Sequence, residues 1–163
     1  MQIGIDLGAT KIESVLLDQR GKELLREREK TPDSYDGTIE AIGNIVNLIE
    51  KKFNKNLNVG ICHPGSSIGD TGLIQNSNNS TWMNNKPFQK DISKKLNKTV
   101  YCENDANCFA LSEAVDGSAS HYKIVFGVIL GSGCGGGLVV DKKIISGSNN
   151  LSGEWGHNPL PYY

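Results

Sequence analysis

The chain has 163 residues, 37% of them apolar, with 17 basic and 18 acidic side chains and a formal charge of −1. That length supports an ordinary domain with a sizeable core. The charge balance offers no basic patch for nucleic acid, and no apolar run is long enough for a membrane helix. The opening Met1-Gln2-Ile3-Gly4-Ile5-Asp6 carries neither a basic leader nor an apolar signal core, so the expected compartment is the cytoplasm. Cys62, Cys102, Cys108 and Cys134 form no C-x-x-C pair and read as reduced thiols.

Ile3 to Leu7 is a short apolar strand ending in Gly8-Ala9-Thr10-Lys11. Ile12 to Leu17 reads as a second strand, Asp18 to Gly21 as a turn, and Lys22 to Lys30 as a third, polar edge strand. From Asp36 the period changes: Ile39, Ile42, Val46, Ile49 and Phe53 mark an amphipathic helix, capped by Ser34 or Asp36. Leu57 to Cys62 is a strand with the loop His63-Pro64-Gly65-Ser66-Ser67 at its end. Residues 69–86, rich in Gly, Asn, Ser and Thr, are long for a structureless connection and suggest a functional loop. Phe88, Ile92 and Leu96 mark another helix.

The next strand ends in Glu103-Asn104-Asp105-Ala106-Asn107, and a helix stopping near Gly117 follows. Strand ends of open α/β sheets are where ligands bind, and a carboxylate there can take a proton from a substrate hydroxyl. Asp is equally a preferred helix N-cap, so Asp105 has two readings. Lys123 to Leu130 is apolar enough to be a strand buried on both faces. It runs into the glycine-rich turn Gly131 to Gly137, then strands at Leu138 to Val140 and Ile144-Ile145, and a loop to Tyr163.

Two stretches repeat. Leu7-Gly8-Ala9 aligns with Leu130-Gly131-Ser132, and Val15 to Asp18 with Leu138 to Asp141, eleven positions separating Leu7 from Asp18 and Leu130 from Asp141. Each is strand, Gly-bearing turn, strand. Each turn has two readings: a hairpin that needs positive φ, or a nest of backbone N–H groups for an anion. Two at matched spacing favour a phosphate clamp, with Thr10 and Lys11 adding a hydroxyl and a cation. The first copy is followed by helices and strands, whereas the second has only a loop after it, so the expectation is either part of a larger two-lobed protein or a protein whose second lobe has been lost.

Ile3 to Lys11, Glu103 to Asn107, Gly131 to Gly137 and Gly153-Glu154-Trp155-Gly156-His157 occur in this order. Together they resemble the ROK family of bacterial sugar kinases, and Trp155 with Asn158-Pro159-Leu160-Pro161 is most similar to its fructokinase/mannokinase branch. The resemblance implies an α/β fold of the actin-like, ribonuclease-H-like ATPase type. Residues 1–118 would form a complete N-terminal lobe, and 119–163 the beginning of a truncated second lobe with the phosphate hairpin and sugar-binding loop.

It also implies Asp105 as the base that deprotonates the sugar hydroxyl. Asn104, Glu154 and His157 would bind the sugar, with Gly65, Ser66 and Asn78 lining its pocket. Gly8, Ala9, Thr10, Lys11, Gly131, Ser132, Gly133 and Gly135 would contact ATP, and Asp6 would lie near Mg2+. The family pattern continues past its histidine into a cysteine cluster that binds structural zinc. That cluster is missing here, so His157 would be a zinc ligand only if it were supplied. A strand beginning at residue 3 disfavours the repressor branch, which carries an N-terminal helix-turn-helix.

The resulting expectation is an ATP-dependent kinase for a fructose-, mannose- or glucose-class hexose. The alternative is a non-catalytic, vestigial sugar-binding domain. Neither nucleic acid nor membrane is an expected partner. Val125 to Leu130 and Leu138 to Val140 are expected to be partly uncovered, with self-association, in the simplest case a homodimer, as the way to bury them.

Overall fold

A computed structural model of the chain describes residues 1–131 and 133–159, with the backbone alone at His157; Ser132 and residues 160–163 lie outside the described residues. The chain divides into two compact units, Met1–Glu103 and Asn104–Tyr163. The division falls just before the helix that begins at Asp105, whereas the sequence expectation placed it at 118/119.

In the first unit the strands β1 (Gln2–Leu7), β2 (Lys11–Leu17) and β3 (Glu23–Lys30) form an antiparallel meander. The helix α1 (Tyr35–Phe53) then carries the chain across to β4 (Asn58–His63), which pairs parallel with β1, as a parallel neighbour requires a crossover. A ribbon of β5 (Ser66–Ser67) and β6 (Ile74–Gln75), a 3-10 turn at Thr81–Met83 and α2 (Phe88–Leu96) lead to β7 (Val100–Asn104). The main sheet has the order β3-β2-β1-β4-β7, so the polar β3 is an edge as expected. Residues 69–86 thus carry secondary structure of their own.

Alternation along β1 buries Ile3, Ile5 and Leu7 and leaves Asp6 exposed. On α1 the apolar stripe buries Ile39, Ile42, Val46 and Ile49. Ser34 caps α1, its Oγ accepting from the Gly37 N–H at 3.2 Å, while Asp36 lies in the first turn. The helices α1 and α2 both end on an asparagine in the left-handed conformation, Asn54 and Asn97. These faces join Val59, Ile61, Ile74, Met83, Phe88, Ile92 and Val100 in one core.

The second unit packs α3 (Asp105–Val115) on a sheet of order β10-β9-β8, built from β8 (Ile124–Leu130), β9 (Cys134–Val140) and β10 (Lys143–Ile144). Its core is small: Ala110, Ala114, Val125 and Val139. Two expectations change here. The strand β8 is not buried on both faces, because Ile124, Phe126, Val128 and Leu130 on its outer face are exposed, Leu130 at 72%. The glycine run is mostly strand rather than turn: only Gly131 to Gly133 separate β8 from β9.

The repeat holds in topology, with a slip of one residue in register. The first turn links the pair Leu7↔Ile12, and the second links Leu130↔Cys134. One residue fewer in the second turn reverses which side chains share a face beyond it.

Candidate functional site

In the first unit the turn Gly8–Lys11 sits at the end of buried β1. The Gly8 N–H donates to the Lys11 carbonyl at 2.9 Å, and Thr10 and Lys11 are exposed. Gly8 lies outside the positive-φ region, so it is not there for a left-handed turn; a Cβ on it would stand 3.0 Å from the Lys11 carbonyl oxygen. Asp6 is exposed just before the turn. Its cross-strand neighbours are Glu13 on β2 and Cys62 on β4, and the Cys62 thiol donates to Asp6 Oδ1 at 3.3 Å.

Past β4 the chain turns at Gly65, with φ +78, where a side chain would collide with the Gln75 carbonyl oxygen and stand 3.0 Å from the Ser77 nitrogen. Glycine is required there by conformation and by space. Ser66 is buried, and its Oγ accepts from Gln75 Nε2 at 3.3 Å across the β5–β6 ribbon. Asn84 fixes the following loop, its Oδ1 accepting from the Ser77 N–H at 2.9 Å and its Nδ2 donating to the Ser77 carbonyl. Asn78, in that loop, is exposed. The neighbouring Ser77 Oγ, Ser80 Oγ and Trp82 Nε1 are buried without a partner among the described residues. A buried polar group left so costs about 1–3 kcal/mol, which a bound hydroxyl or water would offset. Sequence reading passed over these three. The cue was a tryptophan and two serines inside a polar loop too long to be idle.

In the second unit Asn104 and Asp105 stand at the start of α3. The structure separates the two readings of the aspartate: Asn104 is the cap, its Oδ1 accepting from the Asn107 N–H at 3.0 Å. Asp105 is exposed in the first turn, where the helix dipole favours a negative side chain. Its Oδ1 accepts from the Ala106 N–H at 2.8 Å and from Asn104 Nδ2 at 3.1 Å, which orients the carboxylate.

The glycine run divides by environment. Among the described residues, a Cβ on Gly131 or Gly133 would meet nothing within 4 Å. A Cβ on Gly137 would come within 2.6 Å of the Ala106 carbonyl oxygen, and one on Gly135 within 3.4 Å of Ala106 Cβ, because α3 lies against this face of β9. On the opposite face, a Cβ on Gly136 would stand 2.6 Å from the Gly153 carbonyl oxygen and 2.9 Å from Trp155 Cδ1. Trp155 Nε1 donates to the Gly135 carbonyl at 2.9 Å, and Gly156 packs on Cys134. Thus the first turn of α3, which carries Asp105, and the segment 153–157, which carries Glu154, are registered against the same stretch of one strand. Glu154 is half-buried. Ser132 and the His157 side chain lie outside the described residues, as do Leu160 and Pro161.

Among the described residues no three His, Cys, Asp or Glu side chains are grouped to hold a metal. Among them, too, no helix is long and apolar enough to cross a membrane.

The sequence profile of the ROK family matches residues 2–162. An N-acetyl-D-glucosamine kinase from Histophilus somni is 42% identical over 100% of this chain and 53% of its own length. One from Vibrio cholerae is 40% identical over 99% and 53%. Among solved structures, a ROK family glucokinase from Streptomyces griseus, in complex with glucose and AMPPNP, superposes with a TM-score of 0.86 at 28% identity, covering 98% of this chain and 50% of its own. A ROK hexokinase from Thermus thermophilus gives 0.85 at 27%, covering 98% and 53%. The chain therefore spans about half the length of the curated relatives it matches.

Proposed function

The chain belongs to the ROK family and has its actin-like, ribonuclease-H-like fold, and on that premise we propose that it contributes the phosphate turn and the base of an ATP-dependent hexose kinase. The observation that carries this reading is Asp105: an exposed carboxylate on a rigid helix start, oriented by the Ala106 N–H and the Asn104 amide. In the proposed reaction the sugar hydroxyl gives its proton to Asp105 as its oxygen attacks the γ-phosphorus, and the bridging oxygen leaves on ADP. Asn104, Glu154 and His157 hold the sugar. Within the first unit, Gly65 and Ser66 shape the loop that carries Asn78, which is suited to a sugar hydroxyl. The unpartnered hydroxyls of Ser77 and Ser80 and the indole N–H of Trp82 fit a polyhydroxylated ligand.

Each of the two turns is by itself suited to phosphate: Gly8 to Lys11 offers the N–H groups of Ala9 and Thr10 and the charge of Lys11, and Gly131 and Gly133 have no described atom within 4 Å of where a Cβ would stand. Asp6, exposed at a strand end with one oxygen held by Cys62, fits a magnesium ligand, directly or through water. When bound, magnesium would neutralise charge on the phosphates. For the acceptor we favour N-acetyl-D-glucosamine, because the relatives from H. somni and V. cholerae at 42% and 40% identity carry that name. Fructose and mannose, expected from Trp155 and the Asn158–Pro161 stretch, take second place.

A coupled assay with Mg-ATP and N-acetylglucosamine, glucose, mannose or fructose, run beside calorimetric sugar binding, tests the reading. Turnover is expected, and Asp105→Asn should lower kcat about 10²–10⁴-fold while sugar affinity holds. Sugar binding without turnover would mean that the chain is a binding domain only.

A further inference from the structure

Thr31 follows β3 directly and is 1% exposed. Its Oγ1 donates to the Gly8 carbonyl at 2.7 Å across 23 positions of sequence. Its backbone N–H donates to the Thr10 carbonyl at 3.1 Å, carrying the β2–β3 ladder one step beyond the Lys11↔Lys30 pair. Pro32 comes next and restricts Thr31 to extended backbone, which aims both donors at the turn. Two of the four carbonyls of Gly8–Lys11 are thereby tied from behind by one buried residue, and a third, that of Lys11, accepts from the Gly8 N–H. With the carbonyls drawn inward, the N–H groups of Ala9 and Thr10 engage no acceptor among the described residues. That is the arrangement an anion requires of a turn.

We propose that Thr31 is the positioning residue of the Gly8–Lys11 turn: it fixes the turn's carbonyls so that its amides stay directed at a phosphate. The inference rests on the phosphate reading of that turn. Thr31 touches neither substrate nor reacting atoms; it acts through Gly8 and Thr10. A hydroxyl is needed, because valine has the same shape without the donor and would leave the Gly8 carbonyl to swing outward, where it repels an anion.

The test uses the whole chain, with Thr31→Val and Thr31→Ser beside wild type. Backbone amide signals of Gly8 to Lys11 are followed by NMR while Mg-ATP or pyrophosphate is added, and amide hydrogen exchange is measured at Gly8 and, as a core control, at Ile42 and Val46. Thr31→Val should weaken Mg-ATP binding about tenfold, the scale of one lost hydrogen bond, and speed exchange at Gly8 by a similar factor. The core control should stay unchanged, and Thr31→Ser should bind within about twofold of wild type. Wild-type affinity and exchange in Thr31→Val would overturn the proposal. So would exchange rising equally at Gly8, Ile42 and Val46, since that marks a general loss of stability. If wild type shows no shift at Gly8 to Lys11 with either phosphate, the phosphate reading itself fails and takes this inference with it.

Discussion

The hairpin β1–β2 and the hairpin β8–β9 present turns of similar composition, yet they are held in place by different means. The first turn is tied by a side chain: Thr31 reaches the Gly8 carbonyl, and β3 backs the hairpin along its length. In the second the Gly131 N–H donates to the Gly133 carbonyl at 2.9 Å, and the strand that follows is positioned by the glycines in its first half. There Gly137 admits α3 on one face, and Gly136 admits Gly153 and Trp155 on the other. The difference separates two uses of glycine within a single run. At Gly131 and Gly133 a missing Cβ faces open space among the described residues; at Gly136 and Gly137 it lets two backbones touch.

Substitution at each end of the run tests that separation. Gly137→Ala is expected to have the largest effect, because the new Cβ would stand 2.6 Å from the Ala106 carbonyl oxygen and 2.8 Å from Asn107 Cα, neither of which can rotate away. The helix must lift from β9, at a cost of about 1–3 kcal/mol or more, read as a lower midpoint in denaturant. Gly131→Ala should leave stability within about 0.5 kcal/mol of wild type, since no described atom lies within 4 Å of the new Cβ, while weakening Mg-ATP binding in a titration. Equal destabilisation by the two substitutions would show that the whole run is structural.

Alternation and helical period in the sequence are enough to locate β1, β2, β4, α1 and α2, because each buries one face against a large core, whereas β3 is exposed along nearly its whole length and is marked instead by its polar edge composition. Period failed where the core is small. The apolar run at β8 reads as doubly buried, yet its outer side chains are exposed, because burial depends on what covers a face and not on the strand's own composition. The start of β9 was hidden for a related reason: Cys134 to Gly137 pair regularly with β8, but glycines carry no β-propensity signal. Asp105 was legible as a strand-end carboxylate. That Asn104 takes the cap was not, since both residues are good caps and only the backbone decides between them. Nothing in the sequence marks Thr31, because the partner of its hydroxyl lies 23 positions away.

The outer surfaces of the two hairpins differ as well, and pH distinguishes them. On β2 and β3, Glu13 binds Arg26 and Arg28, and Arg26 also binds Glu23, whereas the outer face of β8 carries Ile124, Phe126, Val128 and Leu130. The Arg28 and Arg26 guanidiniums hydrogen-bonded to Glu13 hold its carboxyl below its ordinary value of 4.5. A carboxyl lowered on folding stabilises the fold above its unfolded pKa, and that contribution is lost as pH falls through the folded value. Glu13→Gln should therefore lower the melting temperature slightly at pH 7, and the gap to wild type should close as pH drops below 4.5. The effect is expected to be small, because the pair is exposed and screened, and 0.5 M salt should reduce it by about half or more. Phe126→Ser, on the apolar hairpin, should show no such pH dependence. If its difference from wild type also vanished in acid, the charged cluster could not be what makes the first hairpin acid-sensitive.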